Sequence, residues 1–122
     1  MANILLIEDM DGVRDTLEIM LSAQGHSVTT AANGNDGLSR AKQGGFDVVI
    51  TDIIMPDTDG NDVLVELRKQ AKRPPTIALS GGGSKVSADD ALQLARQHAD
   101  QVMTKPVTQS ELNDALSSVL GG

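Results

Sequence analysis

Five polar residues fall at the ends of short apolar runs in distant parts of this chain: Glu8 and Asp9, then Asp52, Ser80 and Lys105. Their types permit phosphoryl transfer. Acidic groups can hold a divalent cation, and a carboxylate can attack a phosphoryl group to give an acyl phosphate. The transferring group spreads its charge over three equatorial oxygens, so positioning and charge neutralisation do most of the catalysis. A cation can take one oxygen, the Lys105 ammonium a second, and the Ser80 hydroxyl with neighbouring backbone N–H groups the third. Gly81, directly after Ser80, lets the backbone approach closely. Three carboxylates at one site also repel, each pair by about 4 kcal/mol at ~4 Å and an effective dielectric near ~20. A Mg²⁺ ion relieves this, taking one or two carboxylates with waters and a phosphate. Asp9 and Asp52 are the candidate direct ligands, Glu8 the candidate holder of a metal-bound water, and Asp52 the candidate nucleophile.

Such a site needs a scaffold that gathers strand ends. Apolar runs alternate with helical patterns along the chain. The strands are expected at Ile4–Ile7, about Ser27–Ala31, Val48–Thr51, Thr76–Ser80 and about Gln101–Thr104. The first is apolar throughout, as for a strand covered on both faces, and the second is polar enough for a sheet edge. A helix is expected from about Gly12 to Gln24, with Val13, Leu17, Met20 and Leu21 on one face and Gly25 just past its end. Asn33 is a candidate N-cap for a second helix, and Val63, Leu64 and Leu67 mark a third. Ser87 with Asp90 suggests a cap ahead of a fourth, which carries Leu92 and Leu94. Thr108-Gln109-Ser110-Glu111 forms a capping box for the last, where Leu112, Ala115, Leu116, Val119 and Leu120 share a face. Repeated βα units predict an α/β fold with a doubly wound parallel sheet, in which ligands bind at the carboxyl ends of the strands. All five polar residues lie at those ends.

Bulk composition narrows the function. A chain of 122 residues with no cysteine reads as one domain without a disulfide framework or thiolate metal site. A net charge of −7 and a single aromatic residue, Phe46, argue against direct nucleic-acid binding. No segment resembles a signal peptide or approaches the ~20 apolar residues of a membrane span, so no membrane insertion and a cytoplasmic location are expected.

Other local patterns carry less. Asp57, Asp59, Gly60 and Glu66 imitate part of an EF-hand loop, but Met55 stands at its first ligand position, and the two aspartates read as turn formers. Gly81-Gly82-Gly83-Ser84-Lys85 lacks the residues a P-loop needs on either side of its lysine. His26 and His98 read as surface residues, and Met10, Met20, Met55 and Met103 as packing side chains.

Taken in order, Glu8-Asp9, Asp52 followed by Ile53-Ile54-Met55-Pro56 and Asp59-Gly60, Ser80-Gly81, and Lys105-Pro106 resemble the receiver domain of two-component response regulators. The similarity covers essentially the whole chain. It implies a flavodoxin-like five-stranded parallel sheet of order 2-1-3-4-5 with five helices. Residues 1–122 would form a single receiver domain, with no output domain in the chain. The resemblance further implies a phosphoacceptor signalling switch in a two-component or phosphorelay pathway. Asp52 would take a phosphoryl group from a phosphohistidine of a sensor histidine kinase or histidine phosphotransfer protein, in a reaction requiring Mg²⁺. The changed surface would then bind a downstream protein target. By position, Asp9 and Asp52 ligate the metal with the Ile54 backbone carbonyl, Glu8 acts through water, and Ser80 and Lys105 contact the phosphoryl group. The Lys105–Pro106 peptide is expected to be cis, a state found in roughly 5–6% of X–Pro bonds. Such a domain is no metabolic enzyme. Its own chemistry would be limited to self-phosphorylation from small phosphodonors and weak autodephosphorylation.

Two other functions compete with this reading. A pseudo-receiver would bind partners without phosphorylation, but the polar set is intact. An aspartyl-phosphate phosphatase of the haloacid dehalogenase type needs a second Asp two residues after the nucleophile, where this chain has Ile54.

The chain also departs from the receiver pattern. Val102 stands where the family usually has Tyr or Phe, which removes the aromatic rotamer switch and leaves Ser80 and its adjoining loop to relay the signal. Val107 replaces a common Phe, and the 25 positions from Ser80 to Lys105 exceed the usual spacing. Ile54 borders the phosphoryl position, so its apolar bulk is expected to impede water and lengthen the phosphorylated lifetime. An unchanged dephosphorylation rate in Ile54→Asn would refute this. The expected output surface carries Gln93, Arg96, Gln97, Gln109, Asn113 and Ser117.

Overall fold

The computed structural model describes residues 2–53, 60–70, 73–80 and 98–121. Their elements are β1 (Asn3–Ile7), α1 (Asp11–Ala23), β2 (Ser27–Ala31), α2 (Gly34–Gln43), β3 (Val48–Asp52), α3 (Gly60–Arg68), β4 (Thr76–Ser80), β5 (Gln101–Thr104) and α4 (Gln109–Leu120). All neighbouring strands pair in parallel, in the order β2-β1-β3-β4-β5. The expected strand order is therefore present. Four of the five expected helices are described. The helix expected between β4 and β5 lies outside the described residues, as do Ile54 and the Gly81–Lys85 segment.

Alternation along the strands builds a core on each side of the sheet. Ile4 and Leu6, Val48 and Ile50, and Ile77 and Leu79 pack with Leu17 and Leu21 of α1 and Leu112 and Leu116 of α4. The intervening Leu5, Ile7 and Val49 pack with Ala41 of α2 and Val63 and Leu67 of α3. This two-sided burial explains the unbroken apolar runs of the inner strands. At Gly37 an added Cβ would overlap the Ile7 side chain, so a larger residue there would force Ile7 or the α2–β1 packing to shift.

Helix ends follow the sequence signals in two cases, and a third start has no capping side chain. Asn33 accepts the Asp36 N–H at 2.8 Å, and Thr108 and Glu111 form the expected capping box. By contrast, α1 begins after Met10, whose side chain gives no cap and is 58% exposed, so the packing role expected for this methionine does not hold. Leu120 also departs from its pattern. It is 39% exposed because it closes the last turn, with Gly121 in the left-handed conformation just beyond.

The amino ends of the strands carry a repeated device. Asp47, directly before β3, donates its N–H to the Asn3 carbonyl and accepts the Asn3 N–H on Oδ2, both at 2.7 Å. Asp100, directly before β5, does the same with Thr76, at 3.0 and 2.9 Å. His26 is half-buried, and its Nδ1 accepts the Ala2 N–H at 3.1 Å, so it is more than a surface residue.

Candidate functional site at the carboxyl edge of the sheet

Each described site residue sits where a strand ends. Glu8 and Asp9 follow β1, Asp52 and Ser80 close β3 and β4, and Lys105 follows β5. Main-chain bonds continue the sheet past its last rungs: Ile53 N–H donates to Leu79 O at 3.0 Å and Lys105 N–H to Ser80 O at 2.8 Å. The scaffold thus sets the spacing of Asp52, Ser80 and Lys105.

One carboxylate oxygen from each of Glu8, Asp9 and Asp52 lies within 4.8 Å of the others. Lys105 Nζ donates to Asp52 Oδ2 at 3.1 Å and to Glu8 Oε2 at 3.2 Å. Glu8 is wholly buried and Asp52 is only 4% exposed. Met10 N–H also donates to Glu8 Oε1, at 3.3 Å. Asp9 Oδ1 is buried and has no hydrogen-bond partner.

The electrostatics follow from one ammonium serving two buried carboxylates. Burial, then the charge of Asp52, raises the Glu8 pKa above its ordinary value, against the opposing pull of Lys105. Burial likewise raises Asp52, with Lys105 opposing and Asp9 adding to the rise. Burial draws Lys105 down, but Asp52 and then Glu8 more than offset this and its pKa rises. Ionised carboxylates therefore cost free energy here unless more positive charge arrives. An orphaned buried oxygen beside two further carboxylates is the donor set a hard divalent cation takes, so the residues present fit Mg²⁺.

Ser80 is 8% exposed at the end of β4, and the Lys105–Pro106 peptide is cis as expected. The Ile54 carbonyl, an expected ligand, falls outside the described residues. Val102 packs against a small cluster of Ile53, Leu64 and Ala78, which ties it to the residue directly after Asp52. Two members of the expected output surface bond to one another, and one of them also reaches α1. Gln109 Nε2 donates to the Met20 carbonyl at 3.2 Å and to Asn113 Oδ1 at 3.0 Å, linking α4 to α1.

Arg14 was not singled out in the sequence. Its Nη1 donates to the Glu8 carbonyl at 3.0 Å and its Nη2 pairs with Asp11 Oδ1 at 2.5 Å. Only the spacing of Asp11 and Arg14, three apart on a helix, could have drawn notice, and it predicts an ordinary surface pair. A groove of about 760 Å³ flanks the site, with Val13, Leu17, Met20, Pro106 and Val107 among its walls.

Sheet order, strand-end carboxylates and the lysine contact define a receiver, and comparison with known proteins agrees. The family model described as the response regulator receiver domain matches residues 4–117. Protein PilH of Pseudomonas aeruginosa is 36% identical over 124 residues, spanning 100% of both chains. Transcriptional regulatory protein AfsQ1 of Streptomyces coelicolor is 34% identical over 120 residues, covering 98% of this chain and 52% of that regulator. The chain thus spans about half the length of that curated relative. Among solved structures, the receiver domain of the Pseudomonas aeruginosa sensor histidine kinase PA1611 has a magnesium ion coordinated in its active-site cleft. It superposes with a TM-score of 0.88 at 28% identity, over 99% of this chain and 98% of that one. The chain belongs to the response regulator receiver family. Among the described residues, no helix is long and apolar enough to cross a membrane.

Proposed function

We propose that Asp52 accepts a phosphoryl group from a phosphohistidine on a partner kinase or phosphotransfer protein, with Mg²⁺ held by Asp9 and Asp52. The observation that carries this is the Lys105 ammonium 3.1 Å from Asp52 Oδ2, beside three carboxylates that supply oxygens within 4.8 Å of one another. An Asp52 oxygen forms the new O–P bond while the N–P bond of the donor breaks. The bond's electron pair stays on the imidazole nitrogen, which takes up a proton. Bound Mg²⁺ supplies charge neutralisation for the phosphoryl oxygens. Lys105 moves from its carboxylate contacts to a phosphoryl oxygen, and Ser80, on the adjoining strand end, donates its hydroxyl to another. Glu8 bears on the ion through water. Ile54 adds its carbonyl to the metal shell. The domain serves as a switch in the cell interior, and its chemistry on its own is limited to small phosphodonors and slow loss of the phosphoryl group.

The test is incubation with a small phosphodonor, with and without Mg²⁺, followed by intact mass. Wild type gains one phosphoryl group only with the metal, and Asp52→Asn gains none. Equal labelling of the two proteins would remove Asp52 from the role.

A further inference from the structure

We propose that Arg14 is a positioning residue for the metal-binding loop, holding the backbone on which Asp9 is presented. The inference rests on the metal site proposed above. Arg14 lies in the first turns of α1 with its side chain 17% exposed. Its guanidinium reaches back to the carbonyl of Glu8 at 3.0 Å and sideways to Asp11 at 2.5 Å. Its own N–H donates to the Met10 carbonyl at 2.9 Å. Arg14 therefore contacts the segment from residue 8 to residue 11 at three points, two through its side chain and one through its main chain.

Asp9 sits inside that turn, and its Oδ1 is buried without a hydrogen-bond partner. With that oxygen free, the direction of the carboxylate depends on the backbone at either side. On the Glu8 side Arg14 holds the backbone carbonyl, while Lys105 and the Met10 N–H hold the side-chain carboxylate. The Asp11 contact alone would do little, because that carboxylate is 86% exposed and such pairs contribute about 0–1 kcal/mol. The bond to the Glu8 carbonyl is the one that bears on the site.

Charge and geometry predict opposite outcomes, which makes the role testable. A guanidinium near a cation site repels the cation, so if Arg14 acted through charge alone, its removal would tighten Mg²⁺ binding. If it acts by positioning, its removal weakens binding. Groups that orient metal ligands typically contribute about 10–100-fold in affinity.

The experiment is isothermal titration of the unphosphorylated 122-residue chain with Mg²⁺, alongside thermal melts. Arg14→Ala is expected to bind about tenfold more weakly. Arg14→Lys should fall between it and wild type, because an ammonium can reach the Glu8 carbonyl but cannot fork to Asp11 as well. Unchanged affinity with a lowered melting temperature would reduce Arg14 to a scaffold residue, and tighter binding would reduce it to a charge. Either overturns the proposal. If Arg14→Ala loses its helical circular dichroism, Arg14→Gln replaces it, and affinity equal to or tighter than wild type again overturns the role. Wild type that binds no Mg²⁺ would sink the metal site itself, whereas wild-type binding with an indifferent variant sinks only Arg14.

Discussion

The two ends of the sheet treat acidic side chains in opposite ways. At the amino end, Asp47 and Asp100 each exchange two hydrogen bonds with the first residue of a neighbouring strand. At the carboxyl end, Glu8 and Asp52 share one ammonium and Asp9 Oδ1 has no partner. Buried polar groups are normally satisfied, so the second arrangement costs stability that the first does not. The amino end closes the fold, and the carboxyl end holds charge ready for a ligand. The same residue type is structural at one end and chemical at the other.

The largest break in this contrast is expected from Lys105→Ala. Without the ammonium, two buried carboxylates face each other, and removing one partner of a buried ion pair costs about 3 kcal/mol or more. Urea unfolding in chelator should show this loss, and added Mg²⁺ should return much of it. A loss unaffected by Mg²⁺ would mean that the carboxylates do not share a cation site.

At the other end, Asp100→Ala leaves the Thr76 N–H without its side-chain acceptor at a residue only 3% exposed. That should cost about 1–2 kcal/mol, equally with and without Mg²⁺. Dependence on the metal would dissolve the distinction between the ends.

Asp9→Asn sharpens the comparison by reversing sign. It removes a like charge and supplies donors, so the metal-free protein should gain on the order of 1 kcal/mol while Mg²⁺ no longer stabilises it. Destabilisation in chelator would show that Asp9 is structural, like Asp47.

The smallest effect is the pH dependence. Glu8 and Asp52 have raised pKa values in the folded protein, so the fold holds protons that the unfolded chain has released. Their contribution to stability is complete below the ordinary carboxylate range and is lost as pH rises through the raised values. In chelator, urea midpoints should therefore fall from the ordinary carboxylate range upward through those raised values. Saturating Mg²⁺, which favours the ionised carboxylates, should reverse the slope. A flat profile in chelator would place both groups in solvent-like surroundings.

Much of this molecule was readable from local pattern. The unbroken runs at Ile4–Ile7 and Val48–Thr51 report burial on two faces, and strand-end logic brought Glu8, Asp9, Asp52, Ser80 and Lys105 together. What escaped shares a physical cause. Arg14, Asp47, Asp100 and Gln109 bond to backbone groups, and a backbone group leaves no mark in the residue code at the other end of the contact. Gln109 and Asn113 were expected on the output surface, a placement that says nothing of a contact between helices. Leu120 followed the amphipathic period correctly, but the period says nothing about where the helix runs out of sheet to cover.

The bond from Lys105 N–H to Ser80 O has a consequence for building with this domain. The rung, and not the intervening chain, sets how far the lysine stands from the serine. An insertion between them would leave this rung in place, and doubling the length of a flexible connection adds only about 0.6 kcal/mol of closure entropy. The spacing of the two groups is therefore expected to survive a graft between the strands. A peptide placed there could report on, or respond to, another signal while the chemistry beside it keeps its dimensions.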